Sequence, residues 1–345
     1  MSDRTAHFLG GPEVWSIAEL KDSTDWIQHI EPAEVDEIDT MLKAFRGRTT
    51  PLTELSRDDF PMPRIARRFE TVRSELEGGR GFTLLRGLPV GRYSPEDTRI
   101  VFWAMAVHLG DPQGQDRVGN RIHSVTNTGM RVESTNSVRS FQTDDELTFH
   151  NDGGDAFMLL CLKTAKSGGV SKLISVARLY NEVMTRRPDL IEVLQQPFHF
   201  DTRDQHPTGL KVQSSPILNF FDGRLSALYK RRYLLAAQRF PEVPRLTEKQ
   251  EQAVQLVEDI CNDPAIQMSF NMQPGDVQIA NNYSVLHARS KYEDYEDPAE
   301  RRHLLRAWLT LPNGRALPPH FELTREFRTS YLSRSGNTAQ ATAKR

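Results

Sequence analysis

The segment "LTFHNDGGDAF", residues 147–157, sets a histidine two places before an aspartate and follows the pair with two glycines. On an extended strand, residues i and i+2 face the same side, so His150 Nε2 and an Asp152 carboxylate oxygen converge on one point. Gly153 and Gly154 then let the chain turn immediately past that point. A histidine, any residue and an aspartate recur by chance in a chain with ten histidines, so the pair alone carries little weight. Its meaning depends on a third ligand and on something for a metal to act upon.

Working outward, the flanking segments read as short strands. "NRIHSVTN", "AFMLLCLKT", "SGGVSKLISV", "DGRLSALY", "VQIANN" and "HLLRAWLTL" are rich in β-formers and separated by Gly, Asn and Asp. Two helices interrupt them: one starts near Val176 and includes "LYNEVMTRR", and the other is "LTEKQEQAVQLVEDICN", where Thr247 and Gln250 form a capping-box pattern. Upstream, "PAEVDEIDTMLKAF" and "RIARRFETVRSELEGG" repeat apolar residues at helical spacing. "GFTLLRGLP" reads as a buried strand, and "SPEDTRIVFWAMAVHLG" as a helix capped by Ser94 and stopped by Gly110. This order predicts a mainly β chain with a helical surround, its core a double-sheet jelly roll or barrel. No βαβ alternation and no glycine-rich phosphate loop follows a strand. Three regions are expected: a helical lead-in over 1–80, a core over 81–312 with a helical insertion at about 176–265, and a partly disordered extension over 313–345.

His287, in "NNYSVLHARS", is the third candidate ligand, far enough downstream for a returning strand to bring it beside the first two. The remaining histidines sit in loops, at the termini, at a helix end or inside strands. Two histidines and one carboxylate on one face leave open positions for substrate and O₂ on Fe(II). A histidine hydrogen-bonded at a strand end is the plainer reading of His287, and local context favours it. The segment "ERRHLLRAWLTL" changes the weighing. Strand alternation puts Arg302, Leu304, Arg306 and Trp308 on one face. An arginine pointing into a barrel must meet an anion, and its planar fork suits a carboxylate. The competing reading, an exposed face with solvated arginines, is argued against by Trp308.

From about "GFTLLRGLP" to "RAWLTL", roughly 80–312, the chain resembles the Fe(II)- and 2-oxoglutarate-dependent dioxygenases of the taurine dioxygenase (TauD/TfdA) family, on the ordered set "FHNDGGD", "AKSGGVSKL", "PGDVQIANNYSVLHAR" and "RRHLLRAWL". The resemblance implies a double-stranded β-helix, with Fe(II) held by His150, Asp152 and His287, and with 2-oxoglutarate and O₂ as cosubstrates. It implies that Arg302 pairs with the distal carboxylate of 2-oxoglutarate. Arg306 would be a second basic residue for cosubstrate or an anionic substrate. "GGVS" is similar to a Gly-Gly-x-Thr pattern, so Ser171 is a candidate for the same carboxylate, with serine in place of threonine. Halogenating relatives lack the carboxylate ligand, so Asp152 implies hydroxylation; desaturation or cyclisation on the same site stays open. Glu146 and Asn282, beside the ligand motifs, are candidates to line a substrate pocket, against ordinary loop hydrogen bonding. The polar segment "FHFDTRDQHPTG" (198–209) is either a lid or a surface loop, and "YKRRY" (229–233) reads as a solvated patch. A non-catalytic cupin-like binder and a zinc hydrolase remain alternatives, though there is no H-E-x-x-H.

Composition bounds the partners. At 345 residues and net charge −2, there is no electrostatic case for nucleic acid or a membrane surface. No stretch approaches the roughly 18 apolar residues of a membrane span, and the N-terminus lacks the pattern of a secretory signal. Cys161 and Cys261 are too few for a disulfide framework and suit a reducing cytoplasm. The expected partner is a small-molecule substrate, with assembly into a homo-oligomer left open.

Overall fold

A computed structural model describes residues 7–129 and 142–335. The C-terminal residues 336–345, within the stretch expected to be disordered, lie outside it.

The segments predicted to be strands form two sheets, except "DGRLSALY", which pairs in a separate hairpin. The larger runs in the order Ile27–His29, Phe82–Arg86, Val277–Asn281, Ala156–Lys163, His303–Thr310 and Asp111–Gln113, with His123–Val125 also pairing with His303–Thr310. The smaller runs Met268–Phe270, Ser171–Ser175, Val285–Arg289 and Leu147–His150, all antiparallel. Alternation gives each central strand two faces with different partners. On the His303–Thr310 strand, Leu305, Ala307 and Leu309 pack under helices Pro32–Phe45, Pro63–Gly78 and Pro95–Leu109. Trp308 points the other way, into a cluster with Phe157, Leu173, Val285 and Ala280, where the two sheets meet. Both faces are therefore buried, which is why this strand reads as nearly continuous apolar sequence.

The helices lie where capping chemistry places them. Ser94 Oγ accepts from the Asp97 N–H, and Gly110 closes the same helix. The capping box of Thr247 and Gln250 opens Glu248–Cys261. Two expectations need correction. The chain is mixed rather than mainly β, with no fewer residues in helices than in strands among the described residues. The lead-in is not purely helical: Ile27–His29 runs parallel to Phe82–Arg86 and forms the edge of the larger sheet. Three residues are too few to display an alternation.

The 176–265 segment is likewise not only helical. It adds two antiparallel hairpins, Pro197–Asp201 with Val212–Pro216 and Leu218–Phe221 with Arg224–Ala227, to its helices. Phe198 and Phe200 are fully buried there, and His206 Nε2 meets the Leu323 carbonyl at 3.1 Å. The stretch 198–209 is thus anchored at both its start and its tip.

Candidate metal centre

The chain crosses between the sheets twice at one place, and the motif residues sit on these crossings. Leu147–His150 in the smaller sheet passes through 151–155 into Ala156–Lys163 of the larger. Val277–Asn281 returns through 282–284 to Val285–Arg289. Hydrogen bonds clasp the two crossings together. Asn282 Nδ2 donates to the Gly153 carbonyl at 2.7 Å, Asn282 Oδ1 accepts from the Asp152 N–H at 3.2 Å, and the Asn282 N–H donates to the Asp155 carbonyl. Asn151 Nδ2 donates to the Asn282 carbonyl, and Tyr283 Oη donates to Asp155 Oδ1. The glycines are required by close approach as well as by the turn. A Cβ on Gly153 would lie 2.5 Å from the Trp308 ring, and one on Gly154, where φ is +76°, would lie 2.8 Å from the Leu309 carbonyl oxygen.

His287 pairs directly across from His150. Their rings lie 4.2 Å apart, with Asp152 Oδ2 3.7 Å from His287 Nε2 and Oδ1 3.9 Å from His150 Nε2. One ligand atom from each residue falls within 4.8 Å of the others, the only such group of three or more His, Cys, Asp or Glu side chains among the described residues. His150 Nδ1 lies 2.8 Å from the Thr148 carbonyl, to which it donates in the tautomer that leaves Nε2 bare. Burial pushes the His150 imidazole down to about 4 and His287 well below its ordinary value. Both rings are therefore neutral at neutral pH, as metal ligation requires. Burial alone would raise the Asp152 carboxyl, but the Arg306 guanidinium holds it well below the usual carboxylate range.

Arg306 does not face an open cavity with a free fork. Its Nη1 donates to both Asp152 oxygens, at 3.0 and 3.2 Å, and its Nε to Gln115 Oε1 at 2.8 Å. The anion it meets here is the carboxylate of the triad itself. Arg302 stands one residue ahead of the strand, beyond a register shift between His303 and Leu304, and is buried against the Tyr292 ring at 5.3 Å. Its Nη1 has no partner.

Two cavities share Leu147, Asp152 and Arg306 in their walls and so flank the triad. One holds Arg302, Ser171, Gln278, His287 and Arg289. Arg289 escaped the sequence reading although the signal was present: two places after His287, it shares that residue's strand face. Its Nε and Nη1 are buried without partners, as is Gln278 Oε1. Burial and the nearby Arg302 push Arg289 down to about 10.

The other cavity holds His150, Thr148, Lys230, Arg231, Arg232, Tyr233, Trp308 and Arg325. The solvated-patch reading of "YKRRY" fails here. Lys230 is buried, its backbone bridges to His150, and its Nζ donates to Glu326 Oε1 at 2.8 Å. Nothing local in the sequence announces this, because Glu326 lies 96 residues away. Two other candidates are displaced from the cavities. Asn282 is fully buried with both ends of its amide committed to the crossing. Glu146 faces outward, 3.5 Å from Lys172.

Two imidazoles and a carboxylate at the crossings of two packed sheets fit a mononuclear non-haem iron site, and known proteins share both the fold and the sequence. Asparagine oxygenase, solved with Fe(II), 3-hydroxyasparagine and succinate, shares the fold at TM-score 0.65 and 18% identity, over 83% of this chain and 93% of that one. The non-haem iron oxygenase OrfP, solved with Fe and α-ketoglutaric acid, does so at TM-score 0.60 and 16% identity, over 82% and 94%. In sequence, FR-33289 synthase of Streptomyces rubellomurinus is 28% identical over 311 residues, covering 89% of this chain and 92% of that protein. Taurine hydroxylase-like protein SAT17 of Stachybotrys chartarum is 28% identical over 308 residues, covering 86% and 78%. Uridine-5'-phosphate dioxygenase of an Amycolatopsis species is 26% identical over 239 residues, covering 66% and 84%. The family described as taurine catabolism dioxygenase TauD, TfdA matches residues 48–308, and the chain belongs to it. It is an Fe(II)- and 2-oxoglutarate-dependent dioxygenase, which sets aside the non-catalytic and zinc-hydrolase alternatives.

Proposed function

We propose that His150, Asp152 and His287 hold the iron, that Arg302 and Ser171 hold the distal carboxylate of 2-oxoglutarate, and that the enzyme hydroxylates a C–H bond of a small anionic molecule. The core carrying them is a double-stranded β-helix. The observation that carries the reading is the convergence of two neutral imidazoles and an ionised carboxylate within 4.8 Å, beside a buried arginine with an unpartnered Nη1. Orphaned buried donors are expensive unless a ligand satisfies them, and Arg302, Arg289 and Ser171 line one cavity that touches the triad. That donor set suits a dicarboxylate reaching from metal to arginine. Serine keeps the hydroxyl a threonine would supply.

Bound together, iron, 2-oxoglutarate and O₂ supply an oxidant that inserts oxygen into a C–H bond as the oxo-acid becomes succinate and CO₂. The chain's own task is positioning. Thr148 fixes the tautomer of His150, and Arg306 holds Asp152 ionised and oriented with Nη1. Lys230 and Trp308 wall the second cavity, where substrate meets the triad. An anionic group on the substrate fits the basic lining, and two relatives bear names built on compounds that carry one, the sulfonate of taurine and the phosphate of uridine-5'-phosphate. No helix among the described residues is long and apolar enough to cross a membrane. The two buried, unpaired cysteines suit a reducing cytoplasm.

Succinate release from 2-oxoglutarate under air tests the assignment. The wild type should release it slowly with iron present and no primary substrate. His150→Ala should abolish it, and Arg302→Leu should raise the KM for 2-oxoglutarate at least tenfold. Unchanged succinate release in His150→Ala would remove the ligand assignment.

A further inference from the structure

We infer that 2-oxoglutarate enters and succinate leaves through a port of their own, a surface cleft that meets the triad cavity at Arg302, with the Arg302 side chain as its gate. The inference rests on Arg302 as the anchor of the cosubstrate and adds a route that the primary substrate does not share.

Three observations carry it. The first is continuity. A cleft of about 280 Å³ runs inward from exposed Thr164, Lys166 and Asn271 to buried Cys161 and Met272. That is close to the size of a small-molecule pocket. Arg302 and Leu304 line this cleft, and both also line the cavity that contains Ser171 and His287. No other residue is common to the two linings, so these two side chains stand between the cleft and the triad. The second is that the gate has somewhere to go. Arg302 is buried with its Nη1 unpartnered. A Cβ on Gly169 would stand 3.2 Å from Arg302 Nε, so the glycine there leaves the side chain room. Asp294 offers it a second seat: Oδ1 accepts from the Arg302 N–H at 2.8 Å, and Oδ2 is buried without a partner. An orphaned donor and an orphaned acceptor are each costly. A swing of the guanidinium onto Asp294 satisfies both and clears the junction.

The third is segregation. The cavity walled by Lys230 and Trp308 shares no residue with the cleft. A primary substrate seated there fills that approach to the triad and leaves the cleft open. Succinate is then exchanged for fresh 2-oxoglutarate without waiting for the other product to leave. Arg302 serves twice in this arrangement, drawing the dianion in from the cleft and then holding its distal carboxylate.

The test is stopped-flow absorption on the anaerobic, Fe(II)-loaded protein. Growth of the iron–oxo-acid band on mixing with 2-oxoglutarate gives the rate of arrival, and its decay on dilution gives the rate of departure. Thr164→Trp and Asn271→Trp, made separately at exposed positions of the cleft mouth, should each slow both rates about fivefold or more and leave Kd, their ratio, unchanged. A blocked path slows both directions equally, which damage to the anchor would not do. Asp294→Asn, which removes the charge that receives the guanidinium, should slow both as well. Arg231→Trp, at the mouth of the other cavity, should change neither. Unchanged rates in both cleft variants, slowing in Arg231→Trp instead, or a raised Kd in place of slowed exchange would each overturn the port. Exchange unaffected by Asp294→Asn would overturn the gate. Absence of the band in the wild type is a separate result: it would remove the iron and cosubstrate assignment, and the port with it.

Discussion

At Asp152 two demands meet, since the same carboxylate faces two imidazoles and accepts both contacts from Arg306 Nη1. Arg306→Gln should therefore destabilise the metal-free protein by about 3–5 kcal/mol, the usual cost of orphaning one member of a buried ion pair. Chemical denaturation checks the figure, and added metal should restore part of the loss by taking the place of the missing cation. The histidines set a pH dependence. His150 is lowered to about 4 in the folded chain, against roughly 6.5 when unfolded. Between those values the unfolded chain takes up a proton that the folded chain refuses. Stability is thus fully present above about 6.5 and falls as pH drops toward 4, by roughly 3 kcal/mol for this one group. Denaturation midpoints of the metal-free protein across that range should show the slope, and His150→Gln should flatten it. The convergence of His150 and Asp152 was legible at this scale because i, i+2 alternation is a local rule. Lys230 was not, because a buried lysine with a distant carboxylate looks in sequence like any solvated lysine.

Among the elements, the sheet crossings decide whether the motif residues meet. Asn282 serves four backbone groups of the partner crossing, namely the Asp152 N–H and the carbonyls of Gly153, Gly154 and Asp155. Asn282→Ala should cost about 3 kcal/mol, since several buried groups lose a partner at once, and should weaken iron binding although Asn282 touches no ligand cavity. Gly154→Ala should be worse than its size suggests, combining φ of +76° with a 2.8 Å clash against the Leu309 carbonyl. Thermal unfolding of both variants, with and without metal, separates the two costs. The helices were readable from Ser94, Thr247 and Gly110, whose capping chemistry is sequential. The strand in "DGRLSALY" was readable too, whereas the Ile27–His29 edge strand and the hairpin of 197–216 were not: the first pairs with a strand over 50 residues on, and the second lies inside a stretch too polar to display its pairing. Asn282 looked like a pocket residue for a related reason: proximity to His287 in sequence says nothing about which groups its amide will find.

Across the whole molecule, the C-terminal segment forms part of the wall of the cavity beside the triad. Phe321 and Phe327 are fully buried against Tyr283, and Glu326 pairs with Lys230. Arg315, buried itself, joins Glu77 of the N-terminal helical layer at 2.9 Å to the Leu225 carbonyl of a hairpin at 2.8 Å. Removing residues 313–345 should therefore abolish a soluble, cooperatively folding product, because it strips Lys230 of the Glu326 carboxylate and bares the aromatic cluster. Sequence patterning placed the extension after the last sheet strand but could not show that it returns to the site, since Arg325 and Glu326 sit in a polar stretch with no periodicity.

The most direct test of the iron site is an anaerobic absorption titration of the metal-free protein with Fe(II), followed by 2-oxoglutarate. The account predicts a visible charge-transfer band that needs both additions, is lost in His150→Ala, and requires much more 2-oxoglutarate in Arg302→Leu. Iron bound at His150, Asp152 and His287 with no band on adding 2-oxoglutarate would contradict it.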